Sequence, residues 1–142
     1  MLKLEFIKVS LVENEIKVLF KLLKNRTHKI SHNEIPSYEE HKDFCNSHPY
    51  RYWYLIKSEK LDIGSFYIAF DNSIGINIID VANYDEVVSE LLIFIKESFI
   101  PLEPVKSKRG EFFTVNVPST NEKLFECLSK NGGKKIQTTF LI

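Results

Sequence analysis

Three apolar runs follow one another in the middle of the chain, and the short turns between them limit the fold more than any other feature. The runs are RYWYLIK (51–57), IGSFYIAF (63–70) and SIGINII (73–79), with polar turns at 58–62 and 71–72. Strands joined by turns this short pair antiparallel with their neighbours. The sequence therefore predicts a three-stranded meander. Its first strand is apolar on both faces, which is typical of a central strand covered by helices on each side.

Further strands and helices flank the meander. Alternating segments at 2–9, 112–117 and 134–142 predict a leading strand and two later strands. Capping patterns, in which a serine or asparagine stands three residues before a glutamate, predict four helix starts, at Ser10 and Glu13, Ser37 and Glu40, Asn83 and Glu86, and Ser119 and Glu122. The predicted order is β-α-α-β-β-β-α-β-α-β. We expect one α/β (α+β) domain over 1–142, with a central mixed sheet of about six strands flanked by four helices.

Composition excludes several classes of partner. Nineteen basic residues balance nineteen acidic ones, so no net field attracts nucleic acid or an anionic membrane. No apolar run is long enough to span a bilayer, and the first residues contain no signal-peptide core. Cys45 and Cys127 are interpreted as buried apolar residues in a reducing compartment. These features predict a cytoplasmic protein that binds a small molecule, and leave its oligomeric state open.

The element order and two long segments resemble the GNAT superfamily of N-acetyltransferases. EIKVLFKLLKNRTHKISHNEIPSYEEHKDF (15–44) and YWYLIKSEKLDIGSFYI (52–68) are similar to bacterial members that acetylate nucleotide-linked amino sugars in nonulosonic acid biosynthesis. VNVPSTNEKLFECLSKNGGKKIQ (115–137) resembles the closing strand-helix-strand of the same family. The resemblance implies a GNAT-like fold, acetyl-CoA as co-substrate and an amine of a small polar molecule as acceptor.

The resemblance also assigns candidate site residues. In the family, the fourth strand pairs with the pantetheine arm and directs an N–H to the acetyl carbonyl, which assigns cofactor contacts to Gly75, Ile76, Asn77, Ile78 and Asn116. Asn77, an amide among isoleucines, needs a hydrogen-bond partner if it is buried.

The polar connection NRTHKISHNEIPS (25–37) borders the acceptor pocket in the family. Glu34 is the candidate base, and His32, His41 and Arg26 are candidate substrate contacts. An equally simple interpretation is that these are loop residues at helix ends. His28 and His32 have the spacing of metal ligands on a helix, but the proline in this connection disfavours a metal site, and none is expected.

Three positions depart from the family pattern. The glycine-rich pyrophosphate loop is replaced by DVANYDEV (80–87), Phe125 stands where a proton-donating tyrosine is frequent, and Gly132-Gly133 replaces a Gly-Phe pair. We expect Asn83 and Glu86 to cap the helix themselves and the carboxylates of the turn to repel a diphosphate.

Three functions remain open from these residues. The first is an acetyl-CoA-dependent N-acetyltransferase, and the second is a catalytically silent member of the fold that serves as a binding or assembly module. The third is an acyltransferase that uses another donor. The resemblance also predicts that the sheet diverges after Ile78 and after Val117, which leaves a cleft between Ile76–Ile78 and Val115–Val117. A closed, fully paired sheet at this point would count against the resemblance.

Overall fold

The computed structural model describes residues 3–26 and 34–142. The helices and strands follow the predicted order up to the fourth helix. They are β1 (Leu4–Lys8), α1 (Glu13–Lys24), α2 (Tyr38–Asn46), β2 (Tyr50–Ser58), β3 (Leu61–Ala69), β4 (Ser73–Ile78), α3 (Tyr84–Ser98), β5 (Thr114–Val115) and α4 (Glu122–Lys130). In the described part of the chain, no helix is long and apolar enough to cross a membrane.

The five strands form one sheet in the order β1-β2-β3-β4-β5. The first three pairings are antiparallel and the last, between β4 and β5, is parallel. The predicted meander and the mixed sheet are therefore confirmed. Tyr67 of β3 pairs with Gly75 of β4, and a Cβ atom at residue 75 would overlap the Tyr67 ring. The glycine is needed because the aromatic side chain lies across it.

Helices cover both faces of the sheet, as the doubly apolar β2 predicts. On one face α1 and α2 pack against Trp53 and Leu55, around the buried residues Ile16, Leu19 and Cys45. On the other face α3 packs on the alternate residues of the same strands, and its buried residues join a core with Ile56, Ile63, Phe66, Ile68 and Ile74. Burying apolar surface on both faces contributes most of the stability of a sheet of this kind.

Only one of the four predicted capping boxes forms. Ser37 and Glu40 bond each other's backbone N–H groups at the start of α2. The box at Ser10 is wrong: Leu11 has a φ of 60°, α1 begins after Val12, and Ser10 instead donates to Glu15, with Oγ to Oε2 at 2.9 Å. A left-handed residue before the helix therefore shifts the partner of Ser10 by two positions.

The remaining two caps also differ from the prediction. Helix α4 is capped by Asn121, whose side chain accepts a hydrogen bond from the Leu124 N–H, and not by Ser119. Helix α3 starts after Asn83, but the Asn83 side chain makes no capping hydrogen bond. The first turn of α3 therefore lacks the side-chain cap that the sequence pattern predicts.

The predicted sixth strand at 134–142 is not formed within this chain. Every residue of the segment is exposed, and its backbone makes no hydrogen bond to the residues that the structure describes. The sheet consequently has five strands, with the two-residue β5 at its edge.

Candidate active site

Strand β4 changes its surroundings halfway along its length. Ser73 and Ile74 pair with Thr114 and Val115 of β5, and the pairing ends there. Burial falls just beyond: Ser73 to Gly75 are buried, whereas residues 76–78 are only half-buried. The two strands therefore diverge after residue 74. The predicted divergence of the two strands is therefore seen, but it begins after Ile74 and Val115 and not after Ile78 and Val117. We call the region between them the gap.

The open half of β4 directs backbone groups into this gap. The Ile79 N–H bonds Ile63 of β3 at 2.9 Å, while the Ile74 C=O accepts from Asn116 on the β5 side at 3.2 Å. Because backbone groups alternate along a strand, Gly75 and Asn77 face β3, and Ile76 and Ile78 face the gap. The N–H and C=O groups of Ile76 and Ile78 therefore point away from β3, on the side where the pairing with β5 has ended.

Helices α3 and α4 line the other side of the gap. The buried side chains of Tyr84, Val88, Leu124 and Cys127 form a cluster against which Ile76, Ile78 and Val117 pack. The gap therefore has apolar walls and two neighbouring backbone positions with unused hydrogen-bonding groups. Such an edge can pair with an extended amide-containing chain in the manner of an added strand.

The first turn of α3 lies at one end of the gap and has free amides. The N–H groups of Asp85 and Glu86 have no acceptor in the described part of the chain, and no side chain caps the turn. The predicted Asn83 cap is wrong, so the amides that it would have occupied are available. A helix N-terminus of this kind carries partial positive charge.

Lysines from α4 neutralise two carboxylates of this turn. Lys123 Nζ lies 2.7 Å from Asp80 Oδ1, and Lys130 Nζ lies 3.7 Å from Asp85 Oδ2. Cys127 donates its thiol hydrogen to Asp85, with Sγ and Oδ1 at 2.9 Å. Asp80 is 87% exposed, so its pair with Lys123 is a surface ion pair that solvent screens.

The same contacts shift the pKa values of these groups. The hydrogen bond from Lys123 lowers the pKa of Asp80, and the Cys127 thiol lowers that of Asp85. Burial, together with the Asp85 carboxylate, raises the pKa of Cys127 to about 11. Cys127 is therefore protonated at neutral pH and is a poor nucleophile.

A second cluster of polar side chains, formed by Tyr50, Tyr67 and Arg26, lies on the side of β4 away from the gap, beneath the end of α1. The Tyr50 and Tyr67 rings stack with centroids 3.9 Å apart. Burial raises the pKa of both hydroxyls, and the nearby Arg26 guanidinium opposes that rise. The Arg26 Nε atom is buried and has no hydrogen-bond partner among the described residues. This arrangement places a cation with unused hydrogen-bonding capacity beside two hydroxyls.

Sequence reasoning identified Arg26 but missed the two tyrosines and Lys123. Tyr67 belongs to an apolar run and Tyr50 directly precedes one, so the sequence favours a structural place in the strands for both. The pairing of Tyr67 with Gly75 is the signal that could have marked them, because a glycine opposite an aromatic residue indicates a ring lying across the strand.

The residues that were predicted to contact the acceptor do not lie together in the described part of the chain. Glu34 is exposed at the end of the α1–α2 connection, and His32 lies outside the described residues. His41 is 4% exposed, and its Nε2 atom lies 3.2 Å from the Ile16 carbonyl oxygen and 3.4 Å from Cys45 Sγ. These contacts argue against a substrate role for His41, which here joins α2 to α1.

The residues that were predicted to contact the cofactor do not all face the gap. Asn77 has the partner that its position requires, since its Nδ2 atom lies 3.5 Å from the Leu22 carbonyl oxygen on the α1 side. Gly75 and Asn77 therefore do not face the gap, whereas Ile76 and Ile78 do. Asn116 directly follows β5, is exposed, and donates its N–H to the Ile74 carbonyl oxygen.

A shallow cavity of about 530 Å³ lies beside the acceptor-side residues, on α1 and not in the gap. Its walls are formed by Lys17, Phe20, Lys21, Lys24, Asn25 and Tyr38. The three lysines of this lining, together with Arg26, make this end of α1 basic. Within the described residues, no group of three or more histidine, cysteine or acidic side chains is arranged to hold a metal ion.

Comparison with solved structures identifies the fold. A domain from Methanocaldococcus jannaschii superposes with a TM-score of 0.70 at 15% identity, covering 98% of this chain and 93% of that one. Aminoglycoside N-acetyltransferase AAC(6')-Iy, solved in complex with CoA, gives 0.63 at 6% identity over 100% and 95%. Spermidine N-acetyltransferase from Vibrio cholerae, a dodecamer, gives 0.56 at 15% identity over 91% and 78%.

Sequence comparison adds no relative. No protein-family model matches the sequence, and no curated protein matches it. At identities of 15% and below, the structural likeness concerns the fold alone. The chain thus has the GNAT-like fold of N-acetyltransferase structures, with the parting of β4 and β5 as its candidate site.

Proposed function

We propose that this protein is an acyl-CoA-dependent N-acetyltransferase that acts on an amine of a small polar substrate. The observation that supports this proposal most directly is the open half of β4, where Ile76 and Ile78 present unpaired N–H and C=O groups to an apolar gap. These groups suit the amides of a pantetheine arm. The free amides of the α3 turn and Lys123 suit its diphosphate.

Acetyl-CoA, when bound, supplies an activated thioester whose acyl group moves directly to the amine. Glu34 takes the proton that the ammonium of the acceptor must lose before it can attack. An N–H of the open half of β4, at Ile76 or Ile78, stabilises negative charge on the carbonyl oxygen as the N–C bond forms. The C–S bond breaks, and water protonates the thiolate, because Phe125 has no proton to donate.

Arg26 and the basic end of α1 support an anionic acceptor. A guanidinium with an unused Nε–H recognises phosphate or carboxylate oxygens, and three lysines line the neighbouring cavity. A nucleotide-linked amino sugar combines such an anion with a free amine. A polycationic acceptor would meet repulsion on this side. We also propose the cytoplasm as the site of action, because acetyl-CoA and nucleotide-linked sugars are cytoplasmic metabolites.

We expect the α3 turn to grip the diphosphate weakly. Three carboxylates, those of Asp80, Asp85 and Glu86, stand in or beside the turn, and its two lysine partners are engaged with the first two. A helix end attracts an anion by only about 0.3–1 kcal/mol. Micromolar or weaker binding of acetyl-CoA in a calorimetric titration is expected. Sub-micromolar binding that is lost when the diphosphate is removed would contradict this expectation.

The second candidate is a catalytically silent binding or assembly module. It is favoured by the same turn, which has no glycine, and by Phe125, which is 47% exposed and cannot act as an acid. The third candidate function is acyl transfer from a different donor. Absence of any acetyl-CoA binding would favour the module, and binding of the thioester without transfer to any amine tested would favour it as well.

The test of the first proposal is acetyl transfer to a panel of amines. The panel contains nucleotide-linked amino sugars, free amino sugars and polyamines, and the released thiol is measured. We expect the nucleotide-linked acceptors to be used best. Glu34→Gln should reduce kcat by about 100-fold or more with little change in acceptor KM.

Glu39→Gln is the matched control, because Glu39 is an exposed glutamate in the first turn of α2. It should leave kcat within about twofold of the wild type. Equal activity of Glu34→Gln and the wild type would remove Glu34 from the mechanism. Preference for polyamines would contradict the proposed acceptor class.

A further inference from the structure

The connection between α3 and β5, residues 99–113, is held against the start of β4 by one buried side chain. Asn72 is 0% exposed, and its Nδ2 atom donates to the carbonyl oxygens of Leu102 and Gly110 at 2.9 and 3.0 Å. Its Oδ1 atom accepts from the Leu102 N–H at 2.8 Å. Asn72 has a φ of 68°, which asparagine adopts more readily than most residues. A single amide therefore fixes both arms of the connection.

Two arginines support the same connection through backbone carbonyl groups. Arg109 donates from Nη1 to the Phe70 carbonyl oxygen at 3.1 Å and from Nε to that of Glu103 at 2.6 Å. Arg51 donates from Nη1 to the Ile100 carbonyl oxygen at 2.9 Å. An isolated β-bridge closes the tip of the connection. Because the connection is ordered in advance, a partner that binds it loses little conformational entropy.

This ordered connection presents apolar side chains to solvent. Phe70, Ile100 and Phe112 are 56%, 78% and 72% exposed, and we call these three residues the basal patch. They belong to one surface, because Arg109 and Asn72 tie the end of β3 to both arms of the connection. Large apolar side chains grouped on a fixed surface are typical of a protein contact.

Charged side chains of both signs flank the basal patch in the same connection. Glu103, Lys106, Lys108 and Glu111 are exposed, and none of them forms an ion pair within the residues that the structure describes. A strongly acidic or strongly basic partner would meet as much repulsion as attraction here. A second copy of the chain, turned about a two-fold axis, can place its glutamates against these lysines.

We propose that the basal patch joins two copies of this chain in a homodimer, with the apolar side chains at the centre and the lysines of each copy facing the glutamates of the other. Such a contact is isologous, so it closes as a dimer and does not extend into a filament. The four phenylalanine rings of the two copies supply on the order of 500 Å² of the roughly 1,600 Å² that a standard interface buries.

This proposal does not depend on acetyl transfer, and the mass in solution tests it. Sedimentation equilibrium at micromolar concentration should give twice the 16.6 kDa chain mass. Ile100→Lys and Phe112→Lys should each raise the dissociation constant by roughly 30-fold or more, as loss of a central interface side chain does. A monomeric wild type would overturn the proposal.

Leu61→Lys is the matched control for these two variants. Leu61 is 69% exposed and lies at the opposite end of β3 from the basal patch. The variant should change the dissociation constant by less than about twofold. A dimer that survives both patch variants, or that the control weakens equally, would overturn the proposal, because another surface would then join the copies. Circular dichroism of each variant checks that it is folded.

Charge reversal tests the choice of a second copy as the partner. Lys106→Glu/Lys108→Glu makes all four flanking side chains acidic, and Glu103→Lys/Glu111→Lys makes all four basic. Each double variant should dissociate at least about 10-fold more easily than the wild type, because like charges face each other. Mixing the two variants should restore a dimer that contains one chain of each, detected by native mass spectrometry. A mixture that stays monomeric would overturn the proposal.

Discussion

The N-terminal body of the chain and its C-terminal part use the same kind of strand sequence with different results. In the body, residues 3–26 and 34–79, β1 through β4 pair along their lengths with antiparallel neighbours, and α1 and α2 cover one face. The C-terminal part, residues 112–142, contributes a two-residue strand, one helix and an unpaired segment. The difference shows that alternation predicts a strand but not whether a partner lies within reach.

The pairing between the two regions ends partway along β4, and this leaves the candidate site. Ser73 and Ile74 belong to a closed sheet, whereas Ile76 and Ile78 have a partner on one side only. A fully paired strand has no backbone groups left for a ligand. The early divergence of β5 therefore leaves an unpaired edge on β4, the candidate binding edge, without any change in the type of side chain along the strand.

The largest expected effect is a difference in stability between the two halves of β4. Ile74 is 2% exposed, and Ile74→Ala should lower the free energy of unfolding by about 2–5 kcal/mol. Ile76→Ala should cost clearly less, because less apolar surface is lost from a half-buried residue. Urea unfolding midpoints measure both. Equal losses would mean that the gap beside Ile76 is closed.

The next effect concerns the glycine at the boundary. Gly75→Ala places a Cβ in the Tyr67 ring and should destabilise the protein by about 1–3 kcal/mol. Gly110→Ala is the control, because a Cβ there has open space. The double variant Gly75→Ala/Tyr67→Leu should regain part of the loss in a thermal melt. Additive losses would show that the ring does not cause the cost.

A third prediction concerns the pH range in which each region loses stability. Burial lowers the pKa of His41 below its unfolded value of 6.5, so the unfolded chain binds the proton first. The contribution of His41 is complete above about pH 6.5 and is lost as pH falls from there towards the lower folded pKa. His41→Gln should flatten the stability profile in this range. The lowered pKa of His48 acts in the same direction and leaves a residual slope.

The ion pairs that join α4 to the α3 turn should respond to acid in a lower pH range. The folded pKa values of Asp80 and Asp85 lie below 3.8, so their contribution is present above that pH and is lost as pH falls through the folded values. Amide hydrogen exchange should show α4 opening in this range. Opening of α4 near pH 6 would contradict the assignment of the two pH ranges to the two regions.

The smallest effect is on cofactor affinity. Asp80→Asn frees Lys123 for a diphosphate and should tighten acetyl-CoA binding by about 2–5-fold. Acetyl-pantetheine, which lacks the diphosphate, should bind the variant and the wild type equally. Asp62→Asn, which breaks the Lys57 pair in the body, is the control and should change neither affinity. A similar gain for both ligands would exclude Lys123 as the cause.

The sequence predicted the fold well where local signals decide it. The meander, the covered faces of β2 and the Ser37 capping box follow from turn length, alternation and a three-residue spacing. The other boxes fail for local reasons that composition does not show. Leu11 adopts a positive φ before α1, and a turn that bonds Asn121 to Pro118 moves the α4 cap past Ser119.

The candidate site was predicted less completely because it depends on distant segments. The resemblance indicated the segment Gly75–Ile78, but which residues face the gap depends on the register with β3 and on where β5 departs. The approach of Arg26 to Tyr50 and Tyr67 joins the residues after α1 to β2 and β3. Lys123 reaches Asp80 across 43 positions of sequence, which no spacing pattern predicts.

The single tryptophan gives the body a spectroscopic label that the C-terminal part, residues 112–142, lacks. Trp53 is 8% exposed on β2, and its ring lies 5.1–6.1 Å from those of His48, Tyr50 and Phe44. Intrinsic fluorescence therefore reports the packing of α2 on the sheet and is insensitive to residues 112–142. Unfolding of residues 112–142 would not change the tryptophan emission, whereas circular dichroism at 222 nm would record the loss of α4. Unfolding transitions that differ between the two signals would therefore reveal two folding units in one chain.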